Sequence, residues 1–379
     1  MEENVTATQE FAAEAVTEAV VPEKKKRKPI NQQKLQDNIW GWVFCLPLIF
    51  GTVLFVYVAL VMALLLSFTN YNIFSGGVWE FLGRMFSGDQ SVFDMTMVSD
   101  RLQQGATYDP FYWYKYAFTE KVWNGPGDYC INNGIYVNAM GYTMFNTVFY
   151  LIGIPIGMVL SVFFAVCMSR DIKGGSVFRV LYYLPCVAST VAIIYTFKLM
   201  FGKTGVFNTL LGTDVPWIID ESYASWPAGN LFWSQGLLSK TMIVIMSVWK
   251  GLGGTIILYV AGLSGVNNAT KEAAQIDGAN GWTIFWKVTM PDLYPVIFYN
   301  VVTSVIGGMQ IYAEPELFFT SSTQVNLYTS GYVSLIWFYG INDPRGAYAS
   351  LGAAYGMILA VIIFVLTLFQ FWLDSRKKD

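Results

Sequence analysis

The chain has no histidine in its 379 residues. That removes imidazole acid–base chemistry, His-activated nucleophiles and most zinc or haem ligation. Charge is scarce too. Only 13 % of the residues are charged and they sum to −3, a balance that points to neither nucleic acid nor an acidic partner. The four cysteines are Cys45, Cys130, Cys167 and Cys186. Three of them lie in apolar runs, and their spacing suits neither a metal site nor a disulfide framework. There is no glycine–lysine phosphate loop, so the chain is not expected to be an enzyme that hydrolyses ATP, and no cofactor is expected. The first 23 residues are acidic and alanine-rich, and Lys24-Lys25-Lys26-Arg27-Lys28 follows them. That is not the order of a secretory signal.

What the chain has in abundance is apolar sequence. Hydrophobic residues make up 54 % of it, and its mean hydropathy is +0.44. Water cannot solvate most of such a surface, so an all-α membrane protein is expected. A span needs about 20 apolar residues. Runs of that kind lie at about 39–68, 142–168, 177–201, 241–263, 293–312 and 347–372, giving six transmembrane helices. The first is longer than a bilayer needs, which implies tilt or protrusion.

Lys and Arg fix the orientation. With the N-terminus inside, the inner segments hold 24–28, Lys34, Arg170, Lys173, Arg179, Lys271, Lys287, Arg376, Lys377 and Lys378. The outer segments hold the acids Glu80, Asp89, Asp94, Asp100, Asp109, Asp128, Asp214, Asp220 and Glu221. A multi-pass cell-membrane protein with both termini cytoplasmic follows. The segments read as a tail over 1–38 with a basic lipid-headgroup anchor, a first span over 39–69 and an outer insertion over 70–140. A five-span core over 141–373 and a short tail over 374–379 complete the chain. The aromatic outer segments suit either the membrane interface or an external partner. Pro47, Pro155 and Pro185, with Gly153, Gly157, Gly251, Gly253 and Gly254, interrupt the spans. They serve either close helix packing or a bent wall around a path. A carbonyl freed by proline must find a partner in a neighbouring helix or a cavity.

The inner loop between the fourth and fifth spans reads SGVNNATKEAAQIDGANGWTIFWKVTMPDLYP. Asn268 is placed to cap a helix over 269–277, and Gly278 to end it with a turn. A second short helix is expected over 282–288, with Trp282, Phe285 and Trp286 on one face. Pro291 then opens the fifth span. Two capped helices at a sharp turn make a knob for something to pack against.

Glu272-Ala273-Ala274, Asp277-Gly278-Ala279, Phe285, Pro291 and Pro295 resemble the EAA loop of permease subunits in binding-protein-dependent ABC importers. Met290 stands where that family commonly has leucine. The order of the spans resembles the whole permease core, the MetI-like type I fold. LLLSFTNYNI after the first span and QIYAEPELFF after the fifth resemble the sugar-permease branch, the MalF/UgpA type. Thr320-Ser321-Ser322-Thr323 replaces that branch's glycine–glycine–proline, and the outer insertion is longer than the minimal pattern.

The resemblance implies a set of partners: a homologous second permease subunit, two cytoplasmic ATPase subunits that bind ATP, an extracytoplasmic solute-binding protein and a sugar. It implies that Glu272 pairs with a basic group on the ATPase. Ala273 and Ala274 would allow close approach, and Gly278 would permit the turn. Glycerol-phosphate is the near alternative cargo, and a stand-alone secondary transporter is the alternative of another class.

Polar side chains inside spans are costly and mark function or interhelical bonding. Trp249, Lys250, Asn300, Gln310, Tyr312 and Glu314 have the chemistry of a sugar path: aromatic faces for C–H surfaces and planar polar groups for hydroxyls. Lys250 is equally suited to pairing with an acid on a partner permease.

Overall fold

In a computed structural model of the chain, the residues described are 32–71, 77–89, 111–119, 138–169, 175–202, 204–213, 215, 217–218, 237–318, 329–342 and 349–376. The basic run 24–28, Cys130, Arg170, Lys173, most of the outer insertion, most of 214–236, the tetrapeptide 320–323 and 377–379 lie outside them. The chain divides into two compact units, 1–59 and 60–379.

The first unit holds α1 (Gln32–Thr52) and a π turn, Val53–Tyr57. Pro47 lies within α1. Trp42, Phe44, Leu48 and Phe55 are all exposed, as suits a helix whose solvent is lipid. Helix α2 (Val58–Leu66) ends the apolar stretch Trp40–Leu66.

The second unit continues with α3 (Val78–Phe86), α4 (Tyr112–Thr119), α5 (Ala139–Tyr150), α6 (Gly153–Met168), α7 (Gly175–Val187), α8 (Thr190–Phe201) and α9 (Val206–Leu211). Then come α10 (Leu237–Ser264), α11 (Asn268–Ile276), α12 (Gly281–Ile284), a π turn Phe285–Thr289 and α13 (Met290–Met309). Helices α14 (Ala313–Phe318) and α15 (Tyr332–Trp337), a π turn Phe338–Asn342 and α16 (Ala349–Ser375) complete it. No strand occurs among the described residues.

Four stretches are long and apolar enough to cross a membrane: Trp40–Leu66, Ala139–Met168, Leu237–Ser264 and Ala349–Ser375. The expected third span is not one straight helix. It breaks between Val187 and Thr190, and the two halves meet at 95°. Pro185 sits just before the break, where its missing N–H weakens the last turn. Counted as one broken span, the pair makes a fifth crossing. The expected span at 293–312 is helical as α13 but is not among the strongly apolar stretches. Pro291, Asp292, Pro295 and Asn300 dilute it; Leu293, Asn300, Val302 and Met309 are buried, while Pro291, Pro295, Tyr299, Thr303 and Gly307 form an exposed stripe. Its 20 residues still rise about 30 Å, one hydrocarbon thickness.

Helix α10 is the centre of the unit and packs on α5, α6, α7, α13 and α14. Small residues permit this. A Cβ on Gly253 would strike the backbone of Tyr182, and one on Gly262 would come 2.8 Å from Leu293 Cδ1. The packing reading of these glycines therefore holds at Gly253. Gly251 faces open space. The kink at Pro155 needs neither cavity nor neighbour. The Leu151 carbonyl that proline would leave unpaired accepts the Ile154 N–H at 3.0 Å, a local tightening of the turn.

The outer insertion is tied to this core at α4. Trp113 is fully buried and Ala117 nearly so, among Met309, Tyr332, Leu351 and Tyr355. Asn138 caps α5 by accepting the Gly141 N–H, while its own amide donates to the Phe118 carbonyl at 2.9 Å.

Candidate functional sites

The inner loop forms a knob by a slightly different route from the one expected. Asn267, not Asn268, is the cap of α11, and its side chain accepts the Ala269 N–H at 2.9 Å. The Asn-Asn pair leaves either position open to sequence reading, and the chain takes the earlier one. Helix α11 ends in a double-bonded C-cap. Gly278 N–H donates to Gln275 O at 3.0 Å and Ala279 N–H to Ala274 O at 3.0 Å, with Gly278 at φ +80. Only glycine adopts that backbone freely. Asn280 then caps the next helix by accepting the Thr283 N–H at 2.8 Å.

That next helix is not a separate short element. Helix α12, the π turn Phe285–Thr289 and α13 run on without a break. In the π turn the Met290 N–H bonds back to Phe285 O, which spaces the backbone for Pro291, the next residue and one without an N–H. Pro291 lies in the first turn of α13, as expected, but the helical run before it is continuous with that span. A movement of the knob would be transmitted directly along α13.

The tip is bare. Glu272, Ala273, Asp277 and Gly278 are exposed, and Ile276, Trp282 and Trp286 present 86 %, 70 % and 50 % of their surfaces. Phe285 and Ala274 are half-buried, and Phe285 packs edge-on against Trp286 with centroids 5.2 Å apart. The Glu272 carboxylate has no partner among the described residues.

The candidate path residues do not form one cluster. Lys250 lies midway along the 28-residue α10, about 20 Å from either end. Its Nζ donates to Glu314 Oε1 at 3.1 Å and to Thr190 Oγ1 at 2.7 Å. One cation thus joins α10 to α14 and to the first residue after the break between α7 and α8. The acid it pairs with belongs to its own chain. The side chains are 24 % and 17 % exposed. Trp249, the preceding residue on α10, is 45 % exposed and lies 5.9 Å from the Phe197 ring of α8.

Asn300 is elsewhere. It is buried, its amide donates to the Tyr259 hydroxyl at 2.7 Å, and its carbonyl accepts from Ser304 at 3.4 Å. This is interhelical bonding between α10 and α13. Gln310 is exposed at the end of α13, and Tyr312 lies 5.9 Å from the Trp337 ring. Sequence reading missed Thr190 and Phe197. The Pro185–Thr190 stretch carried a signal for the first, since a proline followed by Ser-Thr marks a place where a helix can end and restart.

An all-helical membrane core with a capped, solvent-facing loop and a polar contact at mid-depth defines the protein as a membrane transport component. The family model described as "Binding-protein-dependent transport system inner membrane component" matches residues 153–379, more than half the chain, and the chain belongs to that family. It is 26 % identical over 370 residues to the probable ABC transporter permease protein YesP of Bacillus subtilis, covering 94 % of this chain and 97 % of that one. Similarity to the arabinooligosaccharides transport system permease protein AraP of Halalkalibacterium halodurans is 32 % over 238 residues, 62 % of this chain and 69 % of that one. A bacterial alginate ABC transporter, crystallised with its pentasaccharide-bound periplasmic protein, superposes with a TM-score of 0.61. The alignment covers 91 % of this chain and 96 % of that one at 17 % identity, a likeness of fold.

Proposed function

We propose that this chain is one half of the translocation path of an ATP-driven carbohydrate importer, with oligosaccharides as the favoured cargo. The observation that carries the coupling role is the bare Ala274–Asn280 turn at the end of a continuous helix. Glu272 and the exposed Trp282 and Trp286 are free to meet a socket, and the helix leads on into α13. In this reading two ATPase subunits hold the knob from the cytoplasm and bind all the ATP. A homologous permease completes the path, and an extracytoplasmic binding protein delivers the sugar. Both termini lie inside, with 1–38 and 374–379 as cytoplasmic tails. ATP binding draws the knobs together and favours one of two pore states, which is alternating access by differential stabilisation.

Cargo class is supported by relatives that carry lactose and arabinooligosaccharide transport in their names. One relative is named for sn-glycerol-3-phosphate. The sugar reading is favoured because the cation at mid-depth, Lys250, is already neutralised by Glu314 and is not held in reserve for a phosphate.

The test is uptake of labelled sugars into proteoliposomes holding the complete complex, with ATP inside and binding protein outside. Uptake of a saccharide that requires ATP, with ATP hydrolysis stimulated by the loaded binding protein, is the expected result. ATP-independent uptake by this chain alone would overturn the reading.

A further inference from the structure

Resting on the carbohydrate reading, the geometry points to the Lys250–Glu314 pair as a charge filter that admits neutral saccharides and rejects acidic ones.

Depth comes first. A charged group near the middle of the bilayer is tolerated in contact with protein or in a water-filled cavity, not in lipid. Lys250 lies midway along the long apolar α10, and both side chains are partly exposed in the lone chain; on the carbohydrate reading their open side lines the path rather than lipid.

The arithmetic of bonds comes second. An ammonium has three donors. Lys250 uses two, on Thr190 and Glu314, and among the described residues one N–H remains. The Glu314 carboxylate spends Oε1 on Lys250, and no partner for its other oxygen occurs among the described residues. A donor and an acceptor thus stand side by side where α10, α14 and the start of α8 meet. Neighbouring hydroxyls on a pyranose or furanose ring ask for that combination, because each hydroxyl both donates and accepts. The half-exposed Trp249, held near Phe197 on the same helix that supplies Thr190, adds an aromatic face for the ring's C–H surface.

Charge comes third. The pair is neutral as a unit. A uronate or phosphate arriving there meets Glu314 at close range in a medium of low dielectric, and gains in return only the third N–H of an ammonium whose charge Glu314 already offsets. A neutral sugar suffers neither penalty. The site therefore discriminates chiefly by repulsion.

The experiment measures equilibrium binding to the complete transporter complex in lipid nanodiscs, without binding protein. The probes are four neutral trisaccharides (arabino-, xylo-, malto- and galacto-) and trigalacturonate. Wild type is expected to bind at least one neutral probe at least about tenfold more tightly than trigalacturonate, a difference of about 1.4 kcal/mol. Glu314→Gln removes the anion and keeps the shape. It should raise affinity for trigalacturonate about tenfold and change the neutral probe less than about threefold. The charge-swapped double variant Lys250→Glu with Glu314→Lys should restore the wild-type preference, which guards against loss of folding. A Glu314→Gln complex that stays assembled yet gains nothing for trigalacturonate overturns the filter and leaves the importer standing. A wild type that binds no neutral probe, in a complex that also transports no sugar, overturns the carbohydrate reading itself and the filter with it.

Discussion

The indole N–H of Trp113 donates to the backbone carbonyl of Thr69 at 2.7 Å, and its ring is wholly enclosed. The outer insertion is therefore not a loose spacer where α4 lies. Ser67 and the Tyr114 hydroxyl meet at 2.8 Å and bind the same helix to the chain just beyond α2. Replacing Trp113 by alanine empties a large buried site and leaves the Thr69 carbonyl unpaired. The expected cost is about 3–5 kcal/mol. Trp113→Phe keeps most of the packing and should cost about 1–2 kcal/mol, chiefly the hydrogen bond. Thermal unfolding of the solubilised complex, followed for both variants, separates the two contributions. Equal losses would mean that ring volume is not what holds the insertion down.

Gly278 sits at φ +80, and a Cβ added to it would meet nothing within 4 Å, so a substitution there strains the backbone without a clash. Gly278→Ala should cost about 1 kcal/mol. Gly278→Pro cannot reach a positive φ and also lacks the N–H that donates to Gln275. It should dismantle the knob while leaving the spans inserted. ATP hydrolysis stimulated by loaded binding protein should fall to the basal level with Gly278→Pro, at unchanged membrane abundance. Glu272→Arg reverses an exposed charge and should give the same loss with no change in melting temperature. A complex carrying either substitution that still couples would remove the knob from the mechanism.

How far the sequence could be read depended on whether a signal was local. The loop was legible because capping asparagines, a turn glycine and prolines act within a few residues of themselves. Even there the choice of Asn267 over Asn268 is set by local cap geometry, and the fusion of α12 with α13 through a π turn by the backbone just before Pro291. Hydropathy located the four stretches that are long and apolar enough to cross, because lipid imposes the same demand on every crossing. It could not show that the third breaks after Pro185, since both halves are apolar. The pairing of Lys250 with Glu314 spans 64 residues, and no periodicity reports such a contact. Asn300 illustrates the remaining ambiguity: an amide inside a span has the same sequence signature whether it meets a sugar or, as here, a tyrosine on the next helix.

Asn300 accordingly gives a separable prediction. Its amide and carbonyl are occupied by Tyr259 and Ser304, so Asn300→Leu leaves a buried hydroxyl without its partner. The expected cost is about 1–3 kcal/mol of stability. The effect should be on complex yield and melting temperature, with the KM for uptake unchanged per assembled complex. Tyr259→Phe should lose less, and the double variant Asn300→Leu with Tyr259→Phe should recover part of the loss, since both polar partners are then gone. A raised KM in Asn300→Leu with normal stability would move this residue into the sugar path.

Gly251 and Gly253 lie two residues apart on α10 and face opposite circumstances. A Cβ at Gly253 would collide with the backbone carbonyl of Tyr182 and come 3.0 Å from the Tyr183 Cα. Neither is a flexible side chain that can swing aside. Gly253→Ala should therefore push α7 away from α10 near the break that positions Thr190. A loss of about 1–3 kcal/mol is expected, with the Lys250 contact to Thr190 disturbed as well. At Gly251 nothing lies within 4 Å, and alanine should stabilise the helix of this chain by about 0.5–1 kcal/mol. Bulk at Gly251 makes the sharper measurement. Gly251→Leu should leave the insertion and melting of this chain alone. It should still weaken pull-down of the second permease if that face of α10 is where the partner packs. Unfolding at Gly251→Leu would show that the open space there is filled by this chain itself, while normal pairing would place the partner on another face.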